Sequence, residues 1–177
     1  MHRVLKSIQS EQLSPSDSNI LLKPLQISDF EGLYRVASDP EIWAQHPDST
    51  RSEHGGFRNF FEQAFQPDHA PYLVLHGETQ EIMGSSRYYL KNGNESELFI
   101  GYTFLARKFW GGYWNRCLKS AMLEHAFRFC KTVYFEAAAT NARSIAALSK
   151  LGADQLIHPE ENKVLFCIRE GRTRRIE

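Results

Sequence analysis

The segment from Leu98 to Phe129 constrains the fold of this chain more than any other. Leu98-Phe99-Ile100-Gly101-Tyr102-Thr103-Phe104-Leu105 is an apolar-rich run of strand character. A turn follows, Lys108-Phe109-Trp110-Gly111-Gly112-Tyr113, and then Leu118, Met122, His125 and Phe129 mark one face of a helix over about Trp114 to Cys130. Glycines at such a turn let backbone N–H groups approach an anion closely, and the helix behind them adds unpaired amides and a positive dipole end. Arg107, Lys108, Arg116 and Lys119 offer charge suited to a pyrophosphate or a 3′-phosphate. Taken alone, a Gly-Gly pair at a helix start is a plain structural turn at least as often as an anion site. The chain has no G-x-x-x-x-G-K-[ST] loop and no G-x-G-x-x-G fingerprint, which argues against a nucleoside triphosphatase or a standard nicotinamide dehydrogenase.

The flanking sequence reads as alternating strands and helices of one α/β domain over 19–177, behind an arm of uncertain order over 1–18. Asn19 to Leu25 forms a short strand ended by Pro24. Ser28-Asp29-Phe30-Glu31 has the form of a capping box, opening a helix that buries Phe30, Leu33, Tyr34 and Ala37 and stops before Asp39-Pro40. Thr50-Arg51-Ser52-Glu53 repeats that form ahead of Phe57, Phe60, Phe61, Ala64 and Phe65, a stripe at core spacing. Tyr72 to His76 and Ile82 to Leu90, separated by Gly77-Glu78-Thr79-Gln80, suggest a hairpin. Thr132 to Ala137 reads as a strand and Asn141 to Leu151 as a helix, with Asn141 at its N-cap and Gly152 at its end. A final strand spans Lys163 to Arg169, with room for a short one after Gly152.

Charge narrows the partners. Lys plus Arg equal Asp plus Glu, at 21 each, so the basic excess usual in nucleic-acid binders is missing and no nucleic acid is expected. No apolar run is long enough to span a bilayer and no secretory signal is visible, so the expected setting is cytoplasmic, without a membrane partner. Cys117, Cys130 and Cys167 are odd in number and lack metal-ligand spacing, which reads as buried thiols in a reducing compartment and no metal site.

Ile100 to Leu105, Lys108-x-x-Gly111, and Leu118 to Phe127 with His125-Ala126-Phe127 resemble the central motif of the GNAT N-acetyltransferase superfamily. Asn141-Ala142-Arg143-Ser144 followed by Lys150-Leu151-Gly152-Ala153 resembles its second motif. Leu22 to Leu25, Ser28-Asp29-Phe30 and Asp39-Pro40-Glu41-Ile42-Trp43 are similar to the opening of its ribosomal-protein-alanine acetyltransferase-like branch. The resemblance implies a GNAT-like acyl-CoA N-acyltransferase fold, a mixed α/β (α+β) architecture whose mostly antiparallel central sheet splays at the strands before and after the long helix. It implies acetyl-CoA as co-substrate, with the pantetheine arm beside Phe104, Leu105 and Ala106. The phosphates would sit on Lys108, Phe109, Trp110, Gly111, Gly112, Tyr113, Trp114 and Asn115, and Asn141 and Ser144 would lie near the thioester. The implied reaction is direct attack of a neutral amine on the thioester, with no metal.

Several positions depart from the family pattern. Tyr113 stands where the loop has a second Gly or Ala, so Gly112 is expected to take the permissive backbone role. Cys117 replaces a frequent Glu, Phe99 another, and Leu148 stands where many members carry a Tyr acid. Glu97 and Glu136 are the carboxylates left as candidate bases, each with a solvated or structural role as the competing reading. Arg87 and Tyr89 are candidates for the acceptor side: Arg87 either holds an acidic acceptor or makes an internal ion pair. His125 reads as a packed, hydrogen-bonded core histidine. Two functions remain open: an N-acetyltransferase acting on a primary amine of a small molecule or a protein N-terminus, and a catalytically silent acyl-CoA-binding module. Monomer and homodimer are equally compatible with the sequence.

Overall fold

The computed structural model describes residues 2–9, 11–14, 19–157 and 160–171. Residues 1, 10 and 15–18 of the expected N-terminal arm, and 172–177 at the other end, lie outside the described residues. The elements are α1 (Arg3–Gln9), β1 (Ile20–Pro24), α2 (Phe30–Ala37), α3 (His54–Gln63), β2 (His69–His76), β3 (Ile82–Leu90), β4 (Leu98–Leu105), α4 (Tyr113–Ala126), β5 (Thr132–Ala138), α5 (Ala142–Lys150), β6 (Asp154–Leu156) and β7 (Lys163–Arg169). The hairpin, the strand before the glycines and the short strand after Gly152 fall where the sequence puts them. The arm differs: α1 forms there, and its Leu5 and Ile8 are fully buried in the main core. Leu5 and Ile8 show the three-residue spacing of a helical face, a signal too short to read without a partner surface.

Seven strands form one sheet in the order β1-β2-β3-β4-β5-β7-β6. Every pairing is antiparallel except β4 with β5, which are parallel and joined only at Leu98–Val133 and Phe99–Tyr134. Beyond those pairs the two strands part, so an open fork lies in the middle of the sheet. A β-bulge in β4 helps produce it. Ser85 pairs with Phe104 and Arg87 with Gly101, so β4 carries one residue more than β3 between those pairs. Tyr102 takes a positive φ of 53° at the bulge, a conformation that L side chains adopt only at a cost. Just past the bulge, where Gly84 pairs with Leu105, β3 approaches so closely that a Cβ on Gly84 would stand 2.0 Å from the Phe104 carbonyl oxygen, so only glycine fits.

The sheet has two differently built faces. Helices α1, α4 and α5 cover one, packing Leu118, Met122 and Leu123 onto Tyr88, Ile100, Val133, Phe135 and Phe166. Helices α2 and α3 and the connection between them cover part of the other, setting Trp43, Phe57, Phe60 and Phe61 against Leu73, Leu75 and Phe104. The expected core stripe of α3 is buried except for Phe65, which is 37% exposed past the helix end. Both expected capping boxes shift. Before α2 a 3-10 turn intervenes, and the Asp29 carboxylate accepts from the Gln26 amide at 2.8 Å. Ahead of α3, Asp48 caps the 3-10 turn Ser49–Ser52, its carboxylate accepting from the amide of Thr50 at 3.2 Å and from its hydroxyl at 2.5 Å, while Glu53, next to α3, makes no side-chain cap. The motif was right in kind, but a 3-10 turn moves the capping residue two positions upstream in each case.

Candidate functional site: the fork between β4 and β5

Because β4 and β5 run parallel, the glycine turn after β4 and the start of α5 after β5 meet at the same end of the sheet. A direct contact ties them together: the Arg143 guanidinium stacks on the Trp110 ring, 4.1 Å from its centroid. Arg143 also donates to the carbonyl of Ile42 at 3.3 Å, and its amide donates to the Gln45 side chain at 3.1 Å. The connection between α2 and α3 is thereby strapped to the first turn of α5.

The glycine turn solves the problem posed by Tyr113. Gly111 and Gly112 take φ of 104° and 99°, and Tyr113 opens α4 as an ordinary helical residue. The Arg116 amide is the first to reach a helical acceptor, the Gly112 carbonyl at 3.0 Å, so the amides of Tyr113, Trp114 and Asn115 have no partner one turn back. The first turn carries no acidic side chain. That leaves an anion-ready end. The amides of Phe109 and Trp110 are not part of it, because they close a 3-10 turn onto the Ala106 and Arg107 carbonyls at 2.9 and 3.0 Å.

The basic residues near the turn are placed differently from the sequence expectation. Lys108 is ion-paired with Glu81 and Arg107 with Asp39. Lys119 is no surface charge at all. It is 6% exposed, and its Nζ donates to the Thr103 hydroxyl at 2.6 Å while lying 5.6 Å from the Phe135 ring centroid. The amine therefore spans the root of the fork on its α4 side, and burial pushes its pKa down to about 7. Nothing in the helical pattern flagged it, because Lys119 adjoins apolar Leu118 and reads as the edge of a polar face.

On the edge of β4 facing the fork, Ala106 has no backbone group to spare: its amide donates to the Met83 carbonyl at 2.8 Å and its carbonyl accepts from Phe109. Phe104 is paired to β3 through Ser85. Strand alternation turns Leu105 to the open side, where its carbonyl accepts from the Trp110 indole at 2.9 Å. Asn141 caps α5 as expected, its side-chain oxygen accepting from the Ser144 amide at 3.1 Å.

The two candidate carboxylates lie far apart. Glu97 precedes β4, at the end where β4 and β5 are still paired, and about 20 Å of strand separate it from the mouth of the fork. Glu136 lies within β5, on the α2/α3 face, beyond the last pair. Lys91 donates to it at 2.6 Å, and the Tyr89 hydroxyl is hydrogen-bonded to it. Burial, aided by that carboxylate, pushes the Tyr89 phenol well above its ordinary pKa, so it stays protonated as the donor.

Arg87 is 1% exposed beside this pair. Its guanidinium lies 4.1 Å from the Tyr102 ring centroid and 4.6 Å from that of Phe60, donates to the Phe60 carbonyl at 3.1 Å and meets His69 Nδ1 at 3.1 Å. The internal ion pair considered for it is not present among the described residues. Two further residues of this face, Tyr102 and Arg51, had no distinguishing signal in the sequence; both acquire their place from the bulge and from Asp48. His125 is buried, 3.9 Å from Glu11, but neither ring nitrogen has a hydrogen-bond partner among the described residues, which corrects the expectation of a satisfied core histidine. Leu148 is buried in the main core, and the three cysteines are free, with Cys117 and Cys167 buried.

A forked parallel pair in an otherwise antiparallel sheet, with a glycine turn and an uncapped helix end at its mouth, is the architecture of an acyl-CoA N-acyltransferase. Residues 19–154 match the family model of the acetyltransferase (GNAT) domain, and the chain belongs to that family. No curated protein matches the sequence at a significant level. Among solved structures, a GNAT-family protein from Chromobacterium violaceum is similar at 17% identity, with 91% of each chain covered and a TM-score of 0.73. A GCN5-related N-acetyltransferase from Brucella melitensis is similar at 12% identity, covering 90% of this chain and 78% of that one, with a TM-score of 0.73. The spermidine N-acetyltransferase from Vibrio cholerae, in complex with CoA and spermine, is similar at 12% identity, covering 85% and 95%, with a TM-score of 0.66. At these identities the likeness concerns the fold.

Proposed function

We propose that the protein transfers an acetyl group from acetyl-CoA to a primary amine, of a small molecule or of a protein N-terminus. The single observation that carries this reading is the fork itself, open on β4 and β5 beyond Phe99 and Tyr134 and ending at the unpaired amides of Tyr113 to Asn115. A thioester on a flexible arm fits such a geometry, with its phosphates on the helix end and its arm along the open edge at Leu105. Trp110 would release the Leu105 carbonyl to that arm. Gly111, Gly112 and the first turn of α4 would take the pyrophosphate, with Lys108 free to exchange Glu81 for a phosphate.

The amine enters from the α2/α3 face, where Glu136 accepts its proton directly or through a water, with Tyr89 and Lys91 fixing the carboxylate. The deprotonated nitrogen attacks the thioester carbon, the tetrahedral intermediate collapses, and the CoA thiolate leaves, taking up a proton from solvent. Glu97 is left out of the proposed reaction because it precedes the last β4–β5 pair, on the closed side of the fork, whereas Glu136 lies beyond that pair. The resemblance of residues 22–43 to the ribosomal-protein-alanine branch keeps an α-amine among the acceptors.

Thiol release from acetyl-CoA, measured over a panel of amines and peptide N-termini, tests the reading. Turnover above the acceptor-free rate is expected. Tight CoA binding with no acceptor used would identify a silent acyl-CoA-binding module instead.

A further inference from the structure

The α2/α3 face beside the fork holds two guanidiniums close together, and one of them, Arg87, has no carboxylate in direct contact among the described residues. Arg51 and Arg87 approach the same ring, at 4.5 and 4.6 Å from the Phe60 centroid, so their guanidiniums lie within about 9 Å of each other. At that separation in a half-buried site the two like charges repel by roughly 2 kcal/mol. Arg51 has a counter-ion in Asp48, with Nε 3.2 Å from the carboxylate, and its NH1 meets His46 Nε2 at 3.2 Å. Glu136 is matched by Lys91, and Lys163 by Glu160. Among the described residues no carboxylate pairs directly with Arg87; Asp68 stands one residue further off, 4.0 Å from the His69 ring that Arg87 meets. Burial and the repulsion from Arg51 press the Arg87 pKa down to about 9, while the nearby Tyr102 and Tyr89 hydroxyls act against the shift.

Burying a guanidinium without a counter-ion is costly, and a carboxylate within reach would relieve it. Tyr102, 36% exposed on its strained bulge, roofs Arg87, and the Arg51 side chain beside it is 14% exposed. With Nε on Asp48 and one NH1 edge on His46, Arg51 keeps its NH2 group for a further acceptor.

We propose that the acceptor amine carries a carboxylate, seated on Arg51 at the rim of the α2/α3 face with Arg87 beneath it, so that the substrate is an amino-acid-like zwitterion. The assignment rests on the acetyl-transfer reading above and deepens it. The carboxylate brings to Arg87 a closer countercharge than Asp68 provides, and the same contact holds the amine on the Glu136 side of the fork. A polyamine, such as the spermine bound by the Vibrio cholerae protein, would instead meet two guanidiniums.

The test pairs free amino acids with the corresponding amino-acid amides in the thiol-release assay. The native protein is expected to favour the acids at least tenfold in kcat/KM. Arg51→Gln should bring the ratio to about one and Arg51→Lys to an intermediate value, with the affinity for CoA itself unmoved in a direct titration. Equal or better use of the amides or of spermine by the native protein would overturn the proposal, as would a ratio that Arg51→Gln leaves in place. If no acceptor is turned over, acetyl transfer fails as a reading, and the anion seat is then tested alone. Calorimetry on the protein–CoA complex should show N-acetyl amino acids binding at least tenfold tighter than their methylamides, a difference lost in Arg51→Gln. Equal binding of acid and methylamide would overturn it there too.

Discussion

The two faces of the sheet solve opposite problems with the same strands. On the α4 side, aliphatic residues of β2 to β5 meet Leu118, Met122 and Leu123, and the polar groups admitted, Lys119 and His125, are sealed from water. On the α2/α3 side the packing is aromatic, and it closes around guanidiniums while leaving Tyr102 and Arg51 reachable. Apolar burial is non-directional and serves stability. Rings around cations are directional, and they hold charge in place at some cost in folding energy. Strand alternation permits the division: Tyr88 and Arg87 are neighbours in β3, yet one belongs to each face.

Substitutions on each side should separate stability from chemistry. The largest expected effect is on the α4 side: Leu118→Ala, at a fully buried position, should cost about 3 kcal/mol in urea denaturation. On the opposite face Glu136→Gln should lower kcat/KM by about 100-fold, flatten the acid limb of the pH–rate profile and leave the denaturation midpoint nearly unchanged. If the two substitutions showed each other's signatures, the division between the faces would be wrong.

Lys119 sharpens the contrast, as a charge on the side built for stability. Its folded pKa, about 7, lies below the value of 10.5 for an unhindered lysine. The unfolded chain therefore binds the extra proton between those values, and stability rises with pH across that window. Lys119→Met should stabilise the protein by about 1–3 kcal/mol below pH 7, with the gain shrinking towards pH 10. Thermal melts at several pH values read this directly, and a pH-independent gain would show that the amine is not buried as a neutral group.

Gly111→Asp should weaken acetyl-CoA binding at least tenfold, about 1.4 kcal/mol, by titration calorimetry. Open space surrounds a Cβ there, so the loss would come from the positive φ and from the carboxylate beside the phosphates. The smallest effect is assigned to Glu97→Gln, which should leave the pH–rate profile untouched because the residue sits at the paired end of β4.

Most elements were legible in the sequence because their signals are local. The hairpin, the strand before the glycines, the capping Asn141 and the end at Gly152 depend on neighbours within a few residues, and the structure reproduces them. The capping boxes of α2 and α3 were legible in kind but misplaced, since a 3-10 turn and an α-turn begin with the same residue types. Of the site, the anion-ready turn was legible, and Gly112 takes the role that Tyr113 cannot. Arg87 and Tyr89 lie on β3 as the sequence suggests, but their partners, Phe60, His69 and Tyr102 for one and Glu136 for the other, come from distant segments.

What the sequence determined by itself was a chain of α/β elements, a glycine turn able to receive an anion, and the ordered motifs of the GNAT family. Those rest on backbone conformation and periodicity, which are local properties of the residues. The tertiary structure alone decided that Lys119 is buried rather than a phosphate ligand, that Glu136 and not Glu97 borders the fork, and that Arg51, Arg87 and Tyr102 gather on one face. Each depends on contacts between distant segments: the β4–β5 register for the two carboxylates, Asp48 for Arg51, and one inserted residue in β4 for the side chains around Tyr102.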